Sequence, residues 1–211
     1  MSLALSFLAA LVPIRAVLVS YPDPASENDC LLMTEALLRA GWQINQITTY
    51  KAEPSLSFLA KEVADARSGR LLVYLAGPAT PDSKALTATV GGWKWGDLMT
   101  VLSKGGEIAL ISDTGHANLM ASWVAPNVSA LVEDTTWRDM NQRRQIGTVV
   151  HNGTTMQAGV LSYIIARELP FSRDMLTLAY RVNKTKDSAS MAAYWADLPR
   201  VKVIGNRNLA L

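Results

Sequence analysis

Short apolar runs and amphipathic stretches alternate along this chain, and the alternation predicts strands separated by helices. Residues 16–21 (AVLVSY) form a β-rich run that the Tyr21-Pro22-Asp23-Pro24 break ends. Residues 28–40 place Leu31, Leu32, Glu35, Leu38 and Arg39 as the faces of an amphipathic helix, stopped by Gly41. Residues 42–50 (WQINQITTY) alternate apolar and polar positions, as a half-buried strand near a sheet edge does, and Pro54 then opens a second helix running to Ala66. Two runs, 70–76 (RLLVYLA) and 107–111 (EIALI), are almost continuously apolar, the pattern of parallel strands covered on both faces, so they belong at the sheet centre. Between them lie a loop rich in Pro, Thr and Gly at 77–92 and a helix at 95–103 that Gly105-Gly106 ends. An irregular stretch at 118–153, helices at 156–168 and 172–184, and a closing strand at Val201–Ile204 complete the expected order.

Strands alternating with helices imply a parallel sheet covered on both faces, with functional loops gathered at the carboxyl ends of its strands. Those loops begin at Tyr21, Gly77 and Ser112. With 211 residues, 49% hydrophobic and 18% charged, the chain can bury a sizeable core, and no repeat or Ser/Pro-rich linker divides it. One domain over 15–211 is expected. Residues 2–14 are apolar but shorter than the ~20 that a membrane span needs. No Lys or Arg precedes them, as a signal peptide would require, so segment 1–14 reads as docked on the domain or on a partner.

Charge removes one class of function. Lys and Arg exceed Asp and Glu by only two and are scattered, Arg143-Arg144 being the densest cluster, which gives no groove for nucleic acid. Cys30 is the single cysteine, so no intrachain disulfide forms, and that usage fits a reducing compartment, cytoplasm or organelle matrix. The sequons at Asn127, Asn152 and Asn183 matter only in a secreted chain.

Over nearly the whole length, the order of features resembles the caspase-like peptidases, metacaspases in particular. Glu27-Asn28-Asp29-Cys30, followed by Met33, Glu35-Ala36-Leu37-Leu38 and Gly41-Trp42, is similar to that family's Asn-Asp-Ala element, helix and turn. Leu75-Ala76-Gly77-Pro78-Ala79 stands where the family has Ser-Gly-His-Gly. Trp95-Gly96-Asp97-Leu98 precedes Gly105-Gly106 and a strand ending Ser112-Asp113-Thr114-Gly115-His116-Ala117, against the family's Asp-x-Cys-x-x-Gly. The resemblance implies a caspase-like three-layer α/β fold with a mostly parallel central sheet, large-subunit-like over 15–117 and small-subunit-like over 156–211, joined by an irregular connection at 118–155.

Carried over residue by residue, the catalytic histidine position is Pro78 and the nucleophilic cysteine position is Thr114. The mechanism needs a thiolate to attack and an imidazole to move the proton, and neither group is present. The acidic residue that helps bind a basic substrate side chain matches Ser112, so the specificity charge is gone too. Asn28, Asp29, Gly77, Asp113 and His116 then mark a vestigial cleft. The chain is thus expected to be an inactive, protein-binding relative, either a regulator of an active family member or a structural subunit, with no cofactor and no metal. Caspases pair through the strand matching Val201–Ile204 whereas metacaspases tend to be monomeric, so the resemblance leaves open both pairing there and an edge covered by loops or by the amino-terminal segment.

Other readings stay open beside that one. A hydrolase with a displaced nucleophile would use Thr114 with His116, or Cys30 if the start of the first helix lowers its pKa; the plainer reading of Cys30 is a buried, inert thiol. A small-ligand binder of flavodoxin-like type lacks a Gly-rich loop after the first strand. Two histidines, His116 and His151, are too few for a three-histidine metal site, and with Asp113 they make at most a weak one; a turn hydrogen bond for Asp113 and a surface place for His151 are the preferred readings. Asn28 and Asp29 are expected to cap the first helix. Trp42 and Trp195 are expected in the core, and Trp93 and Trp95 on the surface.

Overall fold

The computed structural model of this protein describes residues 14–53, 55–82, 87–90, 93–114, 124–133, 145–188 and 200–211. The expectations for segment 1–13, Pro54, His116 and Trp195 lie outside the described residues.

The first apolar run is strand β1, Ile14–Ser20, and Asp23 then starts helix α1, Pro24–Arg39, by accepting a hydrogen bond from the Ser26 amide at 3.0 Å. Proline at the first helical position has no amide hydrogen to leave unpaired, so Asp23-Pro24 is a strong start. Asn28 and Asp29 therefore lie inside the helix, which begins four residues earlier than its apolar periodicity suggests. Gly41, at φ +95°, turns the chain away at the other end. Strand β2 (Ile47–Lys51) and helix α2 (Ser57–Asp65) follow, then β3, Arg70–Ala76, with the bounds its apolar run predicts.

The stretch expected as a loop forms a small antiparallel meander instead, β4 (Ala79–Asp82), β5 (Thr87–Val90) and β6 (Trp93–Lys94), which leads into α3, Trp95–Leu102. It carries Trp93 and Trp95 into the core, each 3% exposed, which overturns their expected surface role. The Trp93 indole nitrogen finds its partner in the Glu53 carbonyl, at 2.5 Å. Strand β7, Glu107–Asp113, runs two residues longer than predicted. The region expected to be irregular contributes a fully buried strand, β8 (Val128–Glu133), and a hairpin of β9 (Ile146–His151) and β10 (Thr154–Gly159). Residues 156–159 thus belong to β10, and the next helix, α4, is Val160–Glu168. A 3-10 turn, Leu169–Phe171, leads to α5 (Met175–Lys186), and β11 (Val201–Ile204) closes the chain.

Six of these strands make one sheet in the order β11-β8-β7-β3-β1-β2, parallel throughout except that β11 runs antiparallel to β8. The pleat sends alternate residues to opposite faces. Ala16, Leu18, Leu72, Tyr74 and Ile111 pack with α1, α4 and α5, while Val17, Val19, Val73 and Leu110 pack with α2 and α3. Two apolar cores therefore sandwich the sheet, and Trp42 packs half-buried against the first of them. This is a mixed α/β fold with a mostly parallel central sheet and helices on both faces. Among the described residues no helix is long and apolar enough to cross a membrane.

Candidate functional site

The parallel strands β1, β3 and β7 end side by side, and backbone bonds stitch their ends together. The Tyr21 amide donates to the Ala76 carbonyl at 2.8 Å, and the Gly77 amide donates to the Asp113 carbonyl at 3.3 Å. Ala76 pairs with Asp113 in the β3–β7 register, so Pro78 and Thr114 leave the sheet from neighbouring strand ends. Gly77 is required for close approach: a Cβ there would meet Tyr21 Cβ at 2.7 Å. In a sheet whose order reverses at β1, the crevice between the ends of β1 and β3 is the ordinary place for a small ligand. Here the Tyr21 side chain packs against Gly77 at that point.

Below this edge lies a buried polar cluster. Ser112 and Thr114 are each 1% exposed and share a hydrogen bond between their hydroxyls at 2.8 Å. Asp113 is fully buried, and its Oδ2 accepts from the Ser162 amide at 3.1 Å and from the Ser162 hydroxyl. Ser162 also bonds the phenol of Tyr74, which is buried at the centre of β3. Removal from water, and the nearby Asp113, raise the Tyr74 pKa well above its ordinary value.

The cluster holds a second acid that no motif in the sequence marks. Glu133 ends β8 at 3% exposure, and burial first, then repulsion from Asp113, push its carboxyl up to about 8. Burial likewise raises Asp113, to about 6, against the opposing pull of its bonds from Ser162. A weaker signal does point to it: IALISD and VSALVE are both apolar runs that end in an acid, and parallel pairing of β7 with β8 brings those ends together.

Asp29 and Asn28 meet this region from the other side. Asp29 is fully buried and its Oδ1 accepts from the Gly159 amide at 2.7 Å, while Asn28 Nδ2 donates to the Gln157 carbonyl at 2.7 Å. Helix α4 has no capping side chain of its own. Its first free amides are satisfied instead by Asp29 and Asp113, carboxylates that lie far away in the sequence. The capping role expected for Asp29 exists, but toward α4 rather than α1. Asp113 likewise serves a helix end and not a turn.

Cys30 sits in the second turn of α1 at 2% exposure, not at its amino end. Burial, reinforced by the charge of Glu27 and only partly offset by a hydrogen bond with Ser20, pushes its thiol up to about 12. A thiol of that kind carries almost no thiolate at neutral pH, and the thiolate is the reactive form. The native protein should therefore resist iodoacetamide at pH 8 over hours and react fully once denatured, as a mass shift would show. Rapid alkylation in the native state would contradict the burial.

Near the far end of α1, His151 is largely buried rather than on the surface, with Nε2 at 2.6 Å from Glu35 Oε2. It is thus engaged by Glu35 and does not join Asp113. Among the described residues no group of three or more His, Cys, Asp or Glu side chains is placed to hold a metal ion. Chemically, the edge offers hydroxyls and acids held beneath the surface, and Pro78, which is exposed but has no titratable group. Comparison with known proteins finds no family model that matches the chain and no curated protein significantly similar to it.

Proposed function

We propose that this chain is an inactive caspase-like module of the intracellular space that works by binding another protein, as a regulator of an active relative or as a structural subunit. The observation that carries the reading is the pair of residues at the two expected dyad positions. They leave neighbouring strand ends of a mostly parallel, doubly covered sheet, yet they are a proline and a threonine that is 1% exposed. The displaced-nucleophile alternative is disfavoured by the same burial, since Thr114 and Cys30 both lie where a peptide carbonyl has no access.

Partner binding is assigned to the edge of the sheet at β11, with segment 1–13 as a second candidate. One side of β11 pairs with β8, and among the described residues no strand pairs with its other side. Lys202, Val203 and Ile204 are each partly exposed. The Asn183 side chain already holds both backbone groups of Val201, at 2.8 and 2.9 Å, so the edge proposed for pairing begins at Val203, where backbone donors and acceptors can be satisfied by a second strand without any catalytic group. Measuring mass in solution tests this. The wild type should run above the 22.9 kDa of one chain, or retain a partner, and Val203→Pro should weaken the association roughly tenfold by obstructing backbone pairing. A monomeric wild type that loses no partner on this substitution would end the proposal.

A further inference from the structure

We propose that the cleft between the carboxyl ends of α1 and α4 binds a small amphipathic monocarboxylate. The cleft has a volume of about 340 Å³, toward the lower end of the roughly 300–1,000 Å³ common for small-molecule sites. Leu32 and Ala166 give it an apolar floor, Tyr163 and Phe171 form aromatic walls, and Arg39 and Arg167 stand at its rim. An apolar body with few convergent polar groups is the ordinary composition of a ligand site.

The two arginines decide the sign of the ligand. Arg39 donates through Nη2 to the neutral Ala166 carbonyl at 3.1 Å, which helps close the end of α4 but leaves most of its five N–H donors for another acceptor. Among the described residues Arg167 reaches only Glu168, at 3.8 Å, and its side chain is 60% exposed. Glu168 is already held more closely, by Arg181 at 2.9 Å and by the Thr185 hydroxyl at 2.8 Å. Neither rim arginine therefore has a close carboxylate among the described residues, and a guanidinium is shaped to take one.

The surrounding charges favour a single negative charge over two. From α1 come Glu35 and Arg39, from β9 His151, from α4 Arg167 and Glu168, and from α5 Arg181, whose guanidinium lies 5.2 Å from the centre of the Phe171 ring. Glu35 holds its carboxylate 2.6 Å from His151, which lines the cleft, and the carboxyl ends of both helices are themselves negative, so a doubly charged phosphate would meet more repulsion than one carboxylate held by the rim arginines. Phe171, 68% exposed at the mouth, offers a ring edge for an aromatic or branched body.

The test uses 4-phenylbutyrate as the probe, titrated into isotope-labelled full-length protein by NMR, with neutral 4-phenylbutyramide as the control. The acid should perturb amides in the last turns of α1 and α4 and in the 3-10 turn, and the amide should bind about tenfold more weakly, as loss of a charge-assisted hydrogen bond implies. Arg167→Gln, at an exposed position, should weaken the acid by a similar factor and leave the unfolding midpoint unchanged. Absence of perturbation, perturbation elsewhere, equal binding of acid and amide, or indifference to Arg167→Gln would each overturn the proposal.

Discussion

Glu133→Gln is expected to stabilise the protein at pH 8 and to remove most of a decline in stability that the wild type shows between pH 4 and pH 8. In the β7–β8 register Ile111 stands opposite Leu131, so two residues further on Asp113 and Glu133 leave the sheet at the same level. Both are buried, and both carboxyls titrate above their ordinary values, near 6 and near 8. A folded-state pKa raised above the unfolded value means that the native protein holds a proton the unfolded chain has released. That contribution to stability is complete below about pH 4 and is lost as pH rises through the folded values. Glutamine cannot ionise, so the loss should disappear with it. A carboxyl that titrates one pH unit higher in the folded protein than in the unfolded chain changes stability by about 1.4 kcal/mol, so the gain at pH 8 is on the order of 2–4 kcal/mol. Denaturant unfolding at pH 5, 6.5 and 8 measures it, and equal pH slopes in the two proteins would show that Glu133 is not held protonated.

Asp29→Ala is expected to cost about 2 kcal/mol, and Asp29→Asn to recover most of that. The carboxylate of Asp29 takes the Gly159 amide at 2.7 Å inside the core, and alanine leaves a buried donor unsatisfied, a loss of about 1–3 kcal/mol. Asparagine keeps an oxygen in the same place. Exchange of the amide hydrogens in the first turn of α4 should accelerate with Asp29→Ala and stay near wild type with Asp29→Asn. Equal losses for the two variants would mean that the charge, not the acceptor, is what α4 needs.

The central strands are legible in the sequence because burial on both faces leaves a run with little besides apolar residues, and β3 shows this most clearly. Strand β11 is legible too, for a different reason: a short apolar run broken only by Lys202 stands apart from the preceding helix. The hairpin of β9 and β10 is not, although its turn is visible. Asn152-Gly153 is a two-residue loop whose positive φ values, 49° and 77°, suit Asn and Gly, but the same residues also spell a sequon, and the strands on either side, IGTVVH and TTMQAG, do not alternate regularly between apolar and polar residues. Asn127 is the same case, since its sequon overlaps the apolar run that becomes β8.

The site is legible as a place more than as a set of contacts. Topology alone puts Tyr21, Gly77 and Ser112 at one edge, because parallel strands end together. What periodicity cannot express is which side chains turn inward at that edge. Strand pairing of β7 with β8 carries Glu133 to Asp113, but only the docking of α4 brings Ser162 to Asp113 and to Tyr74. The tryptophans depart from expectation for a related reason: Trp93 and Trp95 flank Lys94, but Trp93 ends the meander and Trp95 starts α3, and both are buried in the core on that face of the sheet.

Peptidase assay of the purified full-length protein tests the pseudoenzyme reading most directly, using peptides with Arg or Lys and peptides with Asp before the scissile bond, with and without calcium. Pro78 and the buried Thr114 predict no turnover above the blank for the wild type, for Thr114→Ala or for Cys30→Ala. Turnover by the wild type that either substitution abolishes would contradict it.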